Sequence, residues 1–258
     1  MTTLAHSVGD SATMLRRNLR HALRYPSMTI SVAVMPVMML LLFNYVFGGA
    51  LGTGTGSEHY IDYIAPGVIL MSATAGAVAT AVGVSVDMTE GIVNRFRTMP
   101  ISRASFLTGH VVGGVIQTLI SVALVTGIAL LMGFRPSATP VEWLAVAGLL
   151  TGLVLGLTWL AAAMGLVAKT PETASNMPMP LQFLPLLGSA IVPADSMPAG
   201  LRWFAEYQPF TPVIETLRGL LMGTGIGNNG IMALAWCVAL TLLGYLWARS
   251  VFNRDTTR

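Results

Sequence analysis

The chain has few charged residues for its length. Asp, Glu, Lys and Arg make up 10% of its 258 residues, against roughly a quarter in a typical soluble domain. With 54% hydrophobic residues and a mean hydropathy of +0.70, the composition is that of a membrane protein. The net charge of +3 does not indicate nucleic-acid binding, because the basic residues lie in short segments between apolar runs.

Cysteine, lysine and histidine are also scarce. Cys237 is the one cysteine, so no disulfide can form within the chain. The one lysine, Lys169, lies in Ala163-Met-Gly-Leu-Val-Ala-Lys-Thr, where alanines replace both glycines that a phosphate-binding loop requires. The four histidines lack the spacing of a zinc site. We therefore predict no catalytic residue, no metal ligand and no cofactor bound by this chain.

The centres of the apolar runs carry no ionisable residue. Asn44, Gln117 and Gln182 are the strongest polar groups there. Carriers driven by protons or ions usually place a carboxylate or a histidine at that depth. Any transport by this chain must therefore draw its energy from another source.

Residues 1–27 are predicted to form a cytoplasmic segment with an amphipathic helix over residues 8–25. Apolar side chains recur there at three- and four-residue spacing, while Arg16, Arg20 and two further arginines take the opposite face. Such a helix lies in the membrane interface with its basic face toward anionic headgroups. A soluble helix packed on another domain is the alternative, but no soluble domain is left for it to pack on.

Residues 28–258 are predicted to form one all-α, polytopic membrane domain. Six apolar stretches are long enough for a helical span, which needs about 20 residues. They lie near 28–47, 63–86, 104–133, 141–168, 174–193 and 231–252. Pro36 in the first stretch, and three prolines in the fifth, predict kinks. Glycines at 109 and 113, and at 148, 152 and 156, predict close packing between helices of the chain.

The distribution of basic residues predicts the orientation of the spans. Eleven basic residues fall on one predicted side, and Arg135, Arg202 and Arg218 fall on the other. Because short cytoplasmic loops are rich in Lys and Arg, both termini are expected in the cytoplasm.

The segment 87–103 is the most charged island between two apolar runs, and we expect it to form a cytoplasmic elbow. Asp87 and Glu90, three residues apart, extend one helical face past the membrane, and Gly91 and Pro100 then interrupt the helix. The segment's candidate contact residues are Asp87, Glu90, Gly91, Arg95, Arg97, Pro100 and Arg103. Two interpretations remain open from these residues: a docking surface for another protein, or a plain positive-inside anchor.

Residues 194–230 break the pattern of spans. Prolines punctuate two mixed segments near 199–208 and 211–222, and each segment can hold one local ion pair. We predict a helical hairpin on the outer side that re-enters the outer half of the membrane. Its candidate residues are Arg202, Glu206, Pro209, Pro212, Glu215 and Arg218. Backbone at membrane depth must be covered by protein or face water, so the hairpin is expected to cap a cavity.

Three motif regions resemble the permease subunits of ABC exporters with a transmembrane type-2 domain, particularly the daunorubicin-resistance-like drug exporters. Tyr63-Ile-Ala-Pro-Gly-Val-Ile-Leu-Met resembles the opening of the family's second span, and segment 87–103 resembles its cytoplasmic signature. Val192-Pro-Ala-Asp-Ser-Met-Pro198, Gln208-Pro-Phe-Thr-Pro212 and Leu217-Arg-Gly219 resemble its outer hairpin and final arginine. The resemblance covers almost the whole chain.

This resemblance implies a mechanism and a set of partners. Two ATPase subunits, which hold the ATP and magnesium, would bind on the cytoplasmic side of two permeases, and the second permease is an identical copy or a close paralogue. The N-terminal helix with Arg16 and Arg20, and the elbow, would receive the nucleotide-driven motion. The complex would lie in a bacterial cell membrane and export hydrophobic small molecules.

The substrate path implied by the resemblance runs along the interface between permeases. Met35, Met38, Met39 and Phe43 in the first stretch, with Gln182 in the fifth, are candidates to line it, because methionine fits many apolar shapes. A methionine that faces lipid or a neighbouring helix is the competing interpretation. Two other functions also stay open: export of a lipid-linked glycan or polymer by a permease of the same family, and a membrane scaffold without transport.

Overall fold

The computed structural model describes residues 26–51, 59–89 and 103–254, and these residues contain helices and loops but no strand. In chain order the helices are α1 (Pro26–Leu41), α2 (Gly48–Leu51), α3 (Tyr60–Thr89), α4 (Arg103–Leu131), α5 (Pro140–Val167), α6 (Pro171–Asn176), α7 (Met179–Phe183), α8 (Ala199–Tyr207), α9 (Phe210–Met222) and α10 (Asn229–Arg254). A π-helical turn, Leu42–Val46, continues α1, and two 3₁₀ turns, Leu184–Leu187 and Ala194–Ser196, follow α7. The all-α prediction is confirmed for this part of the chain.

Four of these helices, α3, α4, α5 and α10, are long and apolar enough to cross a membrane, and a shorter apolar helix covers Ala33–Val46. Their positions match five of the predicted stretches to within a few residues. Boundaries of this kind follow from local features. For example, Thr139 caps the start of α5: its hydroxyl accepts from the Glu142 backbone N–H, and Glu142 accepts from the Thr139 backbone N–H at 2.6 Å.

The predicted fifth span over 174–193 is not confirmed as one continuous helix. The chain forms α6, α7 and the 3₁₀ turn there, and then runs through an irregular segment to Pro193. Pro178, Pro180 and Pro185 each lack a backbone N–H, so they cannot extend a regular ladder of helical hydrogen bonds. The prolines that predicted kinks therefore divide the segment into short pieces.

Helix α3 lies at the centre of the bundle. In its membrane-length stretch 67% of the residues are buried within the protein, against 28% for α4 and α10. It packs against α1, α4, α5 and α6, while α5 packs along α10 on its other side. The outer faces of α4 and α10 expose large apolar side chains, among them Ile120, Leu234 and Leu242, as expected of helices that meet lipid.

Small residues bring the helices close together. Gly76 of α3 lies against Thr118 of α4, and Gly156 of α5 faces α10, where an added Cβ would lie 3.0 Å from that of Leu240. Gly152 faces Cys237, whereas Gly148 has open space beside it. Two of the three glycines predicted to pack on α5 thus contact a neighbouring helix.

The segments predicted as an outer hairpin form two helices joined by Gln208 and Pro209. Helix α9 is the more deeply placed of the two: Phe210, Ile214, Leu217 and Leu221 are fully buried. Helix α8 exposes most of its side chains. After α9, Gly223 takes φ +68°, a left-handed backbone conformation that suits glycine at the end of a helix.

Replacing Gly76 tests the close packing of α3 on α4. The new methyl group of Gly76→Ala would collide with Thr118, which is itself buried, so we expect a loss of about 1–3 kcal/mol of unfolding free energy. Gly148→Ala is the matched control, since nothing lies within 4 Å of its Cβ position. The measurement is reversible unfolding in mixed detergent micelles, and equal stability of the two variants would contradict this packing.

Candidate functional site

A lateral groove lies between α1, α3 and the end of α7 with the 3₁₀ turn that follows it. Its volume is about 280 Å³. The lining side chains come from α1, from one face of α3 and from residues 182–186: Met35, Pro36, Met39, Met71, Thr74, Ala75, Val78, Ala79, Gln182, Phe183 and Leu186. No charged residue belongs to this set, so the groove suits an apolar ligand.

Local sequence explains why space remains at this place. The α3 face carries small side chains, including Ala75 and Ala79, which cannot fill the distance to α1. Pro36 interrupts the backbone hydrogen bonds of α1. Opposite them, the prolines that break residues 174–193 leave Gln182 and Phe183 in a single short turn of helix.

The structure brings together three of the five residues predicted to line a substrate path. Met35, Met39 and Gln182 border the same groove. Met38 lies outside its lining and is 56% exposed. Phe43 lies in the π-helical turn, with its ring centroid 5.6 Å from that of Phe47. The role of these residues stays a prediction.

A second, more polar cavity of about 870 Å³ opens at the end of the bundle where α3 begins. Its lining includes the carboxylates of Asp62, Asp195, Glu206 and Glu215, together with Arg218. At its rim, Arg202 forms ion pairs with Asp195 at 2.5 Å and with Glu206 at 2.7 Å. The hydrogen bond from Arg202 to Glu206, with the negative charge of Asp195, raises the pKa of Arg202 further, so this guanidinium stays charged.

Arg218 ties three parts of the chain together beside this cavity. Its guanidinium pairs with Glu215 at 2.5 Å and donates to the carbonyls of Ser189, at 2.8 Å, and Tyr63, at 3.2 Å. It also lies 3.8 Å above the centre of the Tyr63 ring. The predicted ion pairs Arg202–Glu206 and Glu215–Arg218 are both present, but the contacts of Arg218 with α3 and with the irregular segment were not predicted.

The irregular segment after α7 is held by further contacts with α3. The hydroxyl of Tyr63 donates to the Ser189 carbonyl at 3.2 Å, and that of Tyr60 donates to the Ile191 carbonyl at 3.0 Å. Gly67 allows the approach, because a Cβ at this position would collide with Ala190. These contacts supply partners for backbone carbonyls that no helix satisfies.

The two prolines predicted in the hairpin have distinct positions. Pro209 precedes the first residue of α9, and Pro212 is buried in the first turn of that helix, where proline is tolerated. The carbonyl of Pro212 accepts from the Thr216 hydroxyl at 2.7 Å. Both prolines therefore belong to the start of α9.

At the opposite end of the bundle, Asp87 and His110 join α3 to α4. His110 Nε2 lies 2.9 Å from Asp87 Oδ2, and the two side chains are 12% and 11% exposed. The sequence predicted Asp87 on the same helical face as Glu90, as part of the elbow, and did not predict a partner for it. The pairing of Asp87 with His110 follows from antiparallel helices that bring the end of α3 beside the start of α4, a relation that no local pattern reveals.

Most of the predicted coupling residues lie outside the described residues. This applies to Arg16, Arg20, Glu90, Gly91, Arg95, Arg97 and Pro100. Arg103 is the first residue of α4. Within the part of the chain that the structure describes, no three His, Cys, Asp or Glu side chains gather as a metal site would need.

Arg218 and Arg202 provide a matched pair of substitutions. Arg218 is 13% exposed, so Arg218→Met leaves Glu215 and two carbonyls without their cation, and we expect a loss of about 3 kcal/mol of unfolding free energy. Arg202 is 46% exposed, so Arg202→Met should change stability little. Unfolding in detergent measures both, and an Arg218→Met protein as stable as the Arg202→Met protein would show that the buried contacts contribute nothing.

Comparison with known proteins places this geometry in a family. A family profile described as "ABC-2 type transporter" matches residues 11–222. The daunorubicin resistance ABC transporter permease protein DrrB1 of Streptomyces coeruleorubidus is 29% identical over 245 residues, which cover 93% of this chain and 83% of that protein. The probable doxorubicin resistance ABC transporter permease protein DrrC of Mycobacterium tuberculosis is 23% identical, covering 83% of this chain and 77% of the relative.

A third relative carries no drug in its name. The inner membrane transport permease YadH of Escherichia coli is 27% identical over 207 residues, covering 78% of this chain and 79% of that protein. The family profile spans the groove, the Asp87–His110 pair and the helices α8 and α9. The chain therefore belongs to the ABC-2 type transporter family, whose permeases its sequence resembles.

Proposed function

We propose that this chain is the membrane-spanning permease subunit of an ATP-driven exporter that moves hydrophobic small molecules, of the drug or antibiotic kind, out of the cell. The observation that carries the proposal is the match to the family over residues 11–222, joined by a daunorubicin resistance permease that is similar over 93% of the chain. The uncharged lateral groove supports it, because a hydrophobic molecule would reach such a site from the lipid.

The energy for transport comes from a separate protein. The chain has no phosphate-binding loop, and Lys169 lies just after the end of α5. Two ATPase subunits, each with ATP and magnesium, bind a pair of permeases on the cytoplasmic side. The second permease is another copy of this chain or a close paralogue.

The chain lies in the bacterial cell membrane with both termini in the cytoplasm. Six segments cross the membrane: α1 with its π-helical turn, α3, α4, α5, the proline-divided segment 174–193, and α10. The distribution of basic residues in the sequence supports this orientation, because eleven of the fourteen fall in segments predicted on one side. Helices α8 and α9 lie at the outer end, and the burial of α9 supports its re-entry into the membrane.

The lateral groove is the first part of the substrate path. Met35, Met39 and Gln182 border it. Met38 lies outside the lining and is 56% exposed, so it would face a partner permease or lipid, whereas Phe43 packs against the core of this chain. The polar cavity beside Arg218 would receive the substrate at the outer end.

Reconstitution with and without an ATPase tests the function. We expect purified chain in liposomes neither to hydrolyse ATP nor to move daunorubicin along a proton gradient, because it has no phosphate-binding loop and no carboxylate at the centre of a span. Adding the cognate ATPase should restore ATP-dependent daunorubicin movement, followed by its fluorescence. ATPase activity without movement of any hydrophobic probe would favour a glycan exporter, and proton-driven movement by the chain alone would overturn the proposal.

A charge reversal in the elbow tests coupling. Glu90→Arg should leave insertion at normal levels, since an exposed ion pair contributes only about 0–1 kcal/mol. At an interface the same change sets like charges against each other, so it should abolish transport and weaken co-purification of the ATPase. Arg258→Glu at the C-terminus is the control and should do neither. Normal transport by Glu90→Arg with bound ATPase would make the elbow a topological anchor.

A further inference from the structure

The lateral groove contains two polar side chains with different surroundings. Thr74 is fully buried, and its hydroxyl donates to the Met71 carbonyl of its own helix at 2.8 Å. Gln182 is half-buried and borders the groove. Within the residues that the structure describes, the carboxamide of Gln182 makes no side-chain hydrogen bond, so its two donors and its acceptor remain available.

A carboxamide without a hydrogen-bond partner, such as that of Gln182, is unusual in an apolar groove. The other members of the lining are apolar apart from Thr74, and an amide that loses water without gaining a partner carries a desolvation cost. An apolar side chain of similar size, such as methionine, would fill the same turn of α7 without that cost. The residue is therefore better suited to a ligand that supplies the missing hydrogen bond than to packing.

The occupant can be narrowed by the chemistry of the lining. A lipid acyl chain would fill the groove but leave Gln182 unpaired. A charged group would find no counter-ion, because the lining contains no charged residue. The volume of about 280 Å³ lies near the lower end for ligand pockets, so it accepts one ring system while the rest of a larger molecule remains outside.

We propose that Gln182 is the hydrogen-bonding anchor of this groove and that it selects molecules by an uncharged, apolar ring system that carries a hydroxyl or a carbonyl group. The inference rests on the proposed function, because it treats the groove as a substrate site. Met35, Met39 and Met71 supply a side-chain surface that adapts to different ring shapes, and Phe183 supplies an aromatic face. Recognition thus combines loose apolar contact with one directional polar contact.

The test compares two probes that differ by a hydroxyl against a methyl group, 1-hydroxypyrene and 1-methylpyrene. The full complex with its ATPase is reconstituted in proteoliposomes. The measured quantity is the molar ratio of membrane-bound probe to lipid that gives half-maximal stimulation of ATP hydrolysis. We expect the wild-type complex to prefer 1-hydroxypyrene about tenfold, the size of one hydrogen bond. Gln182→Met should reduce this preference to within about twofold by weakening the response to 1-hydroxypyrene alone.

Two further variants serve as controls. Thr74→Val removes the other polar side chain of the lining, and it should keep the wild-type preference because that hydroxyl is used within α3. Leu242→Met changes an exposed side chain on the outer face of α10, outside the lining, and should also keep it. If Gln182→Met accumulates poorly, Gln182→Asn replaces it: withdrawing the amide by one methylene should lower the preference below about threefold.

Each other outcome overturns the inference. An unchanged preference in Gln182→Met would show that the amide does not contact the probe. No preference in the wild-type complex would favour a lipid chain as the occupant, and a change of oligomeric state in Gln182→Met would favour a second permease. Daunorubicin movement in the same vesicles tests the proposed function separately. If the complex moves daunorubicin without discriminating between the pyrenes, the exporter function is supported and the role of Gln182 as an anchor is overturned.

Discussion

Every backbone N–H and C=O group inside a membrane needs a partner from the protein, and the architecture of this chain follows from that constraint. Helices α3, α4, α5 and α10 satisfy it internally. Residues 188–191 cannot, because prolines divide the preceding segment and the chain is irregular there. Arg218, Tyr63 and Tyr60 provide the replacement partners by donating to the Ser189 and Ile191 carbonyls.

The same division of the helix creates the groove. A continuous apolar helix over 174–193 would present a regular face to α1 and α3, whereas the short turn of α7 places Gln182 and Phe183 beside Met35 and the small residues of α3. The structure is therefore tightly fixed at the end held by Arg218 and open at the level of the groove. An exporter permease needs both properties, because a rigid frame must transmit motion to a site that adapts to its ligand.

The two ends of α3 are fastened by polar contacts of different character. At one end Arg218 joins the helix to α9 and to the irregular segment. At the other end Asp87 binds His110, which fixes the end of α3 to the start of α4 beside the predicted elbow. Between these two ends, glycines and threonines allow close packing of α3 on its neighbours. A displacement of one end of α3 would therefore also displace the helices packed along it.

The sequence alone determined the all-helical class, the positions of five apolar helices and the prolines that divide the segment 174–193, because hydropathy, capping residues and proline act locally. It also predicted the two ion pairs of α8 and α9, whose members are three or four residues apart. Only the tertiary structure decided that Asp87 meets His110, 23 residues away, and that Arg218 reaches the Tyr63 carbonyl across 155 residues. The groove, too, was decided only by the tertiary structure, because the space around Gln182 depends on how α1, α3 and α7 pack. Packing between segments that are distant in the chain leaves no periodic signal in the sequence.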